Sequence, residues 1–335
     1  MKAVVFDKHG DLDGLQWREW PEPEAGADEV KVRIHAAAFN GFDPMVLKGI
    51  PTLKTPLPMI PGGDMAGEVV AIGAEVPGGQ WRVGDRVMVN PLHLGRGLMG
   101  ETQRGGFCEF VCVPHQYLLH IPDAVSYVDA AALPIAYGTA HRMMITRGKV
   151  AKGERVLILG ATGGVGTCCI QLAKLAGAEV IACTSSNAKA TRLKEIGADH
   201  VINTSEQDFV AETIKLWGKP KVWGDGGGAD VVINFIGGQN WAKALRAVRR
   251  DGRMLTCGAT DGYDPQTDIR YIWSFELNII GSNGWTMADL SALLEMVANG
   301  RLKPIIHSVR KMHEAKTSMR EFMDRQVFGK SVLVP

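Results

Sequence analysis

Gly160, Gly163 and Gly166 close the short apolar run Arg155-Val156-Leu157-Ile158-Leu159, and a good helix former follows at 167–176. The chemistry on offer is that of a backbone cradle. A strand that stops in a glycine turn and restarts as a helix leaves N–H groups pointing outward at the positive end of the helix dipole. Residues without a Cβ let a pyrophosphate approach that surface closely. The spacing is G-x-x-G-x-x-G, looser than G-x-G-x-x-G, so context must support it. A second apolar run at 179–183 follows one helix later, as a dinucleotide-binding βαβ unit requires. The candidate cofactor contacts here are Gly160, Thr162, Gly163, Gly164, Val165 and Gly166.

The elements that must hold this turn are also legible. A chain of 335 residues is too long for one ordinary core, so two domains are expected. Residues 1–120 read as β-rich, with short alternating runs at 30–36, 67–72, 86–89 and 107–113 broken by Pro and Gly. After Ile121-Pro122 the pattern changes. Apolar runs at 155–159, 179–183, 200–202, 230–235, 253–257 and 277–281 alternate with amphipathic helices, the pattern of a parallel sheet covered on both faces. Six such strands make a doubly wound α/β fold, whose ligand crevice lies at the carboxyl ends of strands one and four. The last 45 or so residues do not extend this pattern and are expected to return to the first domain, giving 1–122 plus 286–335 and 123–285.

Bulk composition excludes several functions. With 37 basic and 36 acidic residues there is no electrostatic case for nucleic acid or an anionic membrane. No run of about 18 apolar residues exists to span a bilayer. Met1-Lys2-Ala3-Val4-Val5-Phe6 reads as an opening strand with no signal-peptide core behind it, so a cytoplasmic location is expected. The six cysteines have neither zinc-knuckle nor C-x-x-C spacing. Core thiols are the simplest reading, although Cys168 and Cys169 at a helix start are candidates for lowered pKa values.

Seven segments in order along the chain carry a family resemblance: Phe39-Asn40-Gly41-Phe42-Asp43, Pro61-Gly62-Gly63-Asp64-Met65-Ala66-Gly67, Val83-Gly84-Asp85-Arg86-Val87, Gly106-Phe107-Cys108-Glu109-Phe110, residues 130–140, the glycine turn, and Gly329-Lys330-Ser331-Val332-Leu333. The whole chain resembles a medium-chain dehydrogenase/reductase, and more closely the zinc-independent, quinone-oxidoreductase-like branch. The resemblance implies a GroES-like β-barrel catalytic domain, split in sequence around a Rossmann cofactor domain, with the active site in the cleft. Zinc members of the family bind a catalytic ion at positions that correspond here to Asn40, Gly63 and Ile135. Asn, Gly and Ile cannot assemble a tetrahedral site of N, S and O ligands. The lobe that holds a second, structural zinc in those members corresponds to residues 90–106, which contain no cysteine. No zinc is therefore expected.

That loss decides the chemistry. A zinc ion lowers the pKa of a bound oxygen acid by roughly 8 units, on the order of 11 kcal/mol. Without it a simple alcohol is a poor substrate. A quinone or an enone takes hydride and spreads the negative charge within itself, so positioning and a few hydrogen bonds suffice. The expected activity is NAD(P)H-dependent reduction of a quinone or an activated C=C bond in an apolar or conjugated small molecule. The end of the second sheet strand reads Thr184-Ser185-Ser186-Asn187, then Lys189 and Arg192, where an NAD-binding site would carry an acid. Hydroxyls and two cations suit the 2′-phosphate, so NADP(H) is expected over NAD(H). The resemblance further implies Asn40 and Thr139 beside the nicotinamide, Phe235-Ile236-Gly237 and Cys257-Gly258 along the cofactor, and Lys330 near its phosphates.

The candidate proton donors are His93, Tyr137, Asp43 and Asp64; of these, only His93 titrates near neutral pH in the variable loop expected to roof the cleft. Phe42, Leu94, Leu98, Met99, Tyr137, Trp273 and Trp285 are candidates for an apolar pocket, with the two tryptophans alternatively at a subunit interface. The run 277–281 would be an exposed sheet edge in a monomer, so a homodimer paired through the sixth strand is expected. Two alternatives stay open: a metal-free carbonyl reductase or alcohol dehydrogenase, and an NADPH-binding structural or regulatory dimer with little turnover.

Overall fold

The computed structural model describes residues 1–51 and 53–335. The chain forms two compact units: Met1–Gly138 with Thr286–Pro335, and Thr139–Trp285. The first unit runs past the expected break at 122 because the helix Tyr127–Ala131, capped by the Ser126 side chain on Asp129 N, packs on the strands Glu29–Ala38 and Asp64–Ile72.

The first unit is built on the long strand Glu29–Ala38, whose burial alternates along its first half because every second side chain (Val30, Val32, Ile34) faces the core. It pairs antiparallel with Asp64–Ile72, Phe110–Pro114 and Lys330–Val334. Beyond Asp64–Ile72 the sheet continues through Arg86–Val89 to Leu118–His120, and on the other side Lys330–Val334 pairs in parallel with Ile306–Lys311. The last strand thus brings Leu333 opposite Ala37 and sets Lys330 close to the start of the 39–43 turn.

The second unit is a six-stranded parallel sheet with the order His200–Asn203, Glu179–Thr184, Arg155–Ile158, Ala229–Ile233, Val248–Thr256, Asn278–Gly281. In chain order this is 3-2-1-4-5-6, the doubly wound Rossmann arrangement. Val156, Leu157, Ile158, Val231, Val232 and Ile233 are fully buried, which is why these strands read as unbroken apolar runs. Val248–Thr256 starts earlier than the run at 253–257 because polar residues lead into it after a register shift. Among the described residues no helix is long and apolar enough to cross a membrane.

Candidate active site

In the second unit the chain leaves Arg155–Ile158 and turns at Gly160, whose φ of +73° favours glycine. A Cβ on Gly166 would run into Gly160 O and the Ala161 backbone, so the third glycine permits the close packing of helix on strand. A Cβ on Gly163 would meet nothing within 4 Å, and no side chain caps the thirteen-residue helix Gly164–Ala176 that begins there. An open backbone face at an uncapped positive helix end fits a pyrophosphate. A Cβ on Gly160 would lie 3.1 Å from Phe235 and 3.3 Å from Ile236, so the turns after strands one and four meet here. Sequence reasoning missed Asn234, which is fully buried and accepts hydrogen bonds from Ile236 N and Gly237 N at 3.2 and 3.1 Å. It holds the turn that presents Gly237, whose φ is +71°.

At the end of Glu179–Thr184, Thr184 Oγ1 accepts from Ser186 N at 3.1 Å and its carbonyl accepts from Thr204 N, so Thr184 shapes the turn from a buried position. Ser185 is exposed. Ser186 sits at the N-cap of Asn187–Glu195 but makes no side-chain cap bond. Lys189 and Arg192 lie on this helix; burial first, then the Arg192 charge, holds the Lys189 ammonium below its usual pKa. Glu206, from the turn after the third strand, accepts from Asn187 Nδ2 at 2.6 Å. At the end of strand five, burial pushes the Cys257 thiol up to about 12. Cys168 and Cys169 are fully buried and their thiols are pushed well up, so the expectation of lowered pKa values at this helix start is corrected: burial outweighs the helix end.

In the first unit the 39–43 turn, the 61–64 segment, Ile135 and Lys330 converge. Lys330 Nζ donates to Phe39 O (2.7 Å), Asn40 Oδ1 (2.6 Å) and Asp64 Oδ2 (2.8 Å), which uses all three ammonium hydrogens. Asn40 Nδ2 donates to Asp64 Oδ2 at 3.0 Å, and Asp64 Oδ1 accepts from Ile135 N at 2.8 Å. The Lys330 and Asp64 side chains are 2% and 0% exposed. Lys330, expected near the cofactor phosphates, has no donor left for them. Asn40 spends its amide inside the same cluster, so it acts as a link in the scaffold. Asp43 accepts from Asn40 N (2.7 Å) and Gly62 N (3.3 Å); burial raises its pKa to about 7, with the two backbone N–H groups and the Lys330 charge opposing. Its carboxyl ties two turns together.

The three positions that carry zinc ligands in metal-binding relatives do come together, as Asn40, Gly63 and Ile135. They do not fit the ion. A Cβ on Gly63 would lie 2.5 Å from Ile135 Cδ1 and 2.8 Å from Met99 O, so there is no room for a histidine, and an ammonium already lies on the Asn40 oxygen. Among the described residues no three His, Cys, Asp or Glu side chains are grouped to hold a metal.

Other expected site residues lie elsewhere. His93 is not in an open loop: it ends the strand Leu92–His93, is 2% exposed and stacks on Tyr117 at 4.0 Å. Its Nδ1 meets Gln103 Oε1 at 3.3 Å, and burial lowers its pKa, so it is a neutral, enclosed imidazole. Tyr137 is fully buried and its hydroxyl accepts from Ile305 N at 2.8 Å. Both are corrected as proton donors. The Phe42 ring and the Met99 backbone carbonyl both lie close to Gly63, and the Met99 side chain is buried in the core. Leu98 is half-buried in the strand Gly97–Leu98, and Leu94 is exposed. In the second unit Trp273 is exposed on Ile269–Ser274 and Trp285 is buried, so the two do not share one surface; Thr139 is half-buried on Pro134–His141.

Residues 26–123 match the alcohol dehydrogenase GroES-like domain, and residues 164–299 match the zinc-binding dehydrogenase family. The chain is 31% identical over 340 residues to a phenolphthiocerol/phthiocerol polyketide synthase of Mycobacterium tuberculosis; the match covers 98% of the chain but 14% of that much longer protein. It is 32% identical to 2-methylene-furan-3-one reductase of Solanum lycopersicum (91% and 71% covered) and 28% identical to acryloyl-coenzyme A reductase of Sulfurisphaera tokodaii (100% and 100%). A solved NAD-dependent alcohol dehydrogenase superposes with a TM-score of 0.91 at 34% identity, over the full length of both chains. The glycine turn at the switch point of a 3-2-1-4-5-6 sheet, the split GroES-like unit and these full-length matches together make the chain a member of the medium-chain dehydrogenase/reductase superfamily.

Proposed function

We propose that this oxidoreductase transfers hydride from NADPH to a quinone or to the activated double bond of an enone or enoyl ester, without zinc. The observation that carries this reading is the Asn40–Asp64–Lys330 cluster beside a sterically closed Gly63. No donor set is left there to bind a metal and polarise an alcohol or carbonyl oxygen, so the acceptor must delocalise its own charge. NADPH, when bound, supplies the hydride. The chain's own residues do the rest. The 160–166 backbone and the helix end behind it hold the pyrophosphate, while Ser185, Lys189 and Arg192 favour the 2′-phosphate. Phe42 and Ile135 give the first unit an apolar wall around Gly63. His93, Tyr137 and Asp43 are all committed to buried contacts, so the proton that completes the reduction comes from solvent.

Two relatives, an acryloyl-coenzyme A reductase and a 2-methylene-furan-3-one reductase, are named for reductions of conjugated double bonds and support the same class. The strand Asn278–Gly281 is the last in the sheet and has one neighbour; pairing with its two-fold mate removes that edge and supports a homodimer, which sedimentation tests. The decisive assay sets an enone beside its saturated ketone and a simple secondary alcohol, with NADPH or NADP as appropriate, before and after EDTA. Enone turnover that survives EDTA is the expected result. Preferred turnover of the alcohol, abolished by EDTA and restored by zinc, overturns the reading.

A further inference from the structure

A cavity of about 420 Å³ opens in the first unit between the antiparallel ribbon of Lys2–Val5 with Gln16–Glu19 and the 3₁₀ turn Met312–Glu314 that leads into the helix Ala315–Met323. Val4 and Trp17 are direct partners in the ribbon, so their side chains share a face. Both line the cavity, together with Leu15, Met312 and Ala315. Val4, Leu15, Met312 and Ala315 are at most 2% exposed, whereas Trp17 is half-buried. The Trp17 indole N–H has no partner among the described residues, so the ring offers both a flat apolar face and a free donor. Small-molecule pockets occupy about 300–1,000 Å³, and this cavity falls inside that range.

The polar residues that line it are Gln16, His313 and Lys316, and none of the described lining residues is acidic. Lys316 Nζ donates to Asp13 O at 3.3 Å, which leaves two ammonium hydrogens, and among the described residues no carboxylate pairs with it. The acids beside this segment are turned to backbone N–H groups: Asp11 Oδ1 accepts from Asp13 N at 3.0 Å, and Glu314 Oε2 accepts from Lys311 N at 3.0 Å. An ammonium with donors to spare, an aromatic face and buried apolar neighbours suit a flat apolar body that carries one negative charge. A phosphate fits less well, because half of the lining is apolar and no guanidinium fork is present in it. None of the residues assigned above to the cofactor, the acceptor or the Asn40–Asp64–Lys330 cluster lines this cavity.

We propose that this cavity is a binding site for an aromatic carboxylate, separate from the reaction site, with the ring against Trp17 and the carboxylate on Lys316. The inference does not depend on the proposed reaction, and its test uses no turnover. Indole-3-acetate and indole-3-acetamide match in shape and differ in charge, and calorimetry measures the binding of each to the full chain. The parent should bind the acid at least about tenfold more tightly than the amide. Lys316→Gln should remove most of that preference by weakening the acid about tenfold while leaving the amide almost unchanged, and Lys316→Arg should keep it. Gln16→Glu, at an exposed position, places a like charge in the lining without altering Lys316; it should weaken the acid alone, and it decides the matter if Lys316→Gln does not fold. No binding of the acid at about 10 mM, or equal affinity for acid and amide, overturns the inference. Acid binding that a folded Lys316→Gln protein leaves unchanged also overturns it, because the acid then sits elsewhere.

Discussion

Lys330→Met is the sharpest perturbation of the first unit. The Lys330 ammonium and the Asp64 carboxylate are 2% and 0% exposed and 2.8 Å apart, so neither is screened by solvent. Removing the ammonium leaves the Asp64 charge with Asn40 Nδ2 and Ile135 N as its remaining donors, and strips Phe39 O and Asn40 Oδ1 of their partner. Breaking a buried pair in this way costs about 3–5 kcal/mol. The surface pair Lys174–Asp199, with both side chains about one-third exposed, supplies the internal comparison: Lys174→Met should cost about 0–1 kcal/mol. Adding Asp64→Asn to Lys330→Met removes the stranded charge, so the double variant should be more stable than Lys330→Met alone. Equilibrium urea unfolding reads the difference. Hydrogen exchange in peptides spanning 29–38 and 330–334 locates it, because these strands pair and a chain of two units need not unfold in one step. A Lys330→Met loss of no more than about 1 kcal/mol, strictly additive with Asp64→Asn, would refute the reasoning.

Three further outcomes follow from named contacts. The Asp43 carboxyl, at about 7 in the fold against 3.8 in the open chain, binds a proton between those pH values that the unfolded chain has released. Its stabilising contribution is therefore complete below about pH 4 and is lost as pH rises through about 7, by up to roughly 4 kcal/mol. Asp43→Asn should flatten that descent in urea midpoints measured from about pH 4 to about pH 8, and an unchanged slope would count against it. Gly63→Ala should destabilise by about 1–3 kcal/mol, since the new Cβ meets Ile135 Cδ1 and the Met99 carbonyl, and Gly63→His should fold worse without gaining tightly held zinc. A stable, zinc-loaded Gly63→His protein would sink that argument. Lys189→Ala and Arg192→Ala should each raise the KM for NADPH about tenfold while moving that for NADH little; equal effects on both would remove the 2′-phosphate assignment.

What the sequence disclosed and what it concealed divide along a physical line. The glycine turn and the six apolar runs were legible because each is a local pattern: Gly160, Gly163 and Gly166 lie within one short turn, and a strand buried on both faces writes itself as consecutive apolar letters. The resemblance also brought Asn40, Gly63 and Ile135 forward as one site. It did not disclose what fills that site. Lys330 is 290 residues from Asn40 and 266 from Asp64, and it reaches them because Lys330–Val334 pairs with Glu29–Ala38. No spacing rule links a lysine to an aspartate at such a distance. His93 was hidden for a related reason: a histidine between Leu92 and Leu94 looks like loop, and only the pairing with Gly97 and the stack on Tyr117 make it core. The side chains most exposed to misreading are thus those whose charge is answered across the fold. In this chain one of those groups, Lys330 inside the cluster, is also the one on which the metal-free chemistry is proposed to depend.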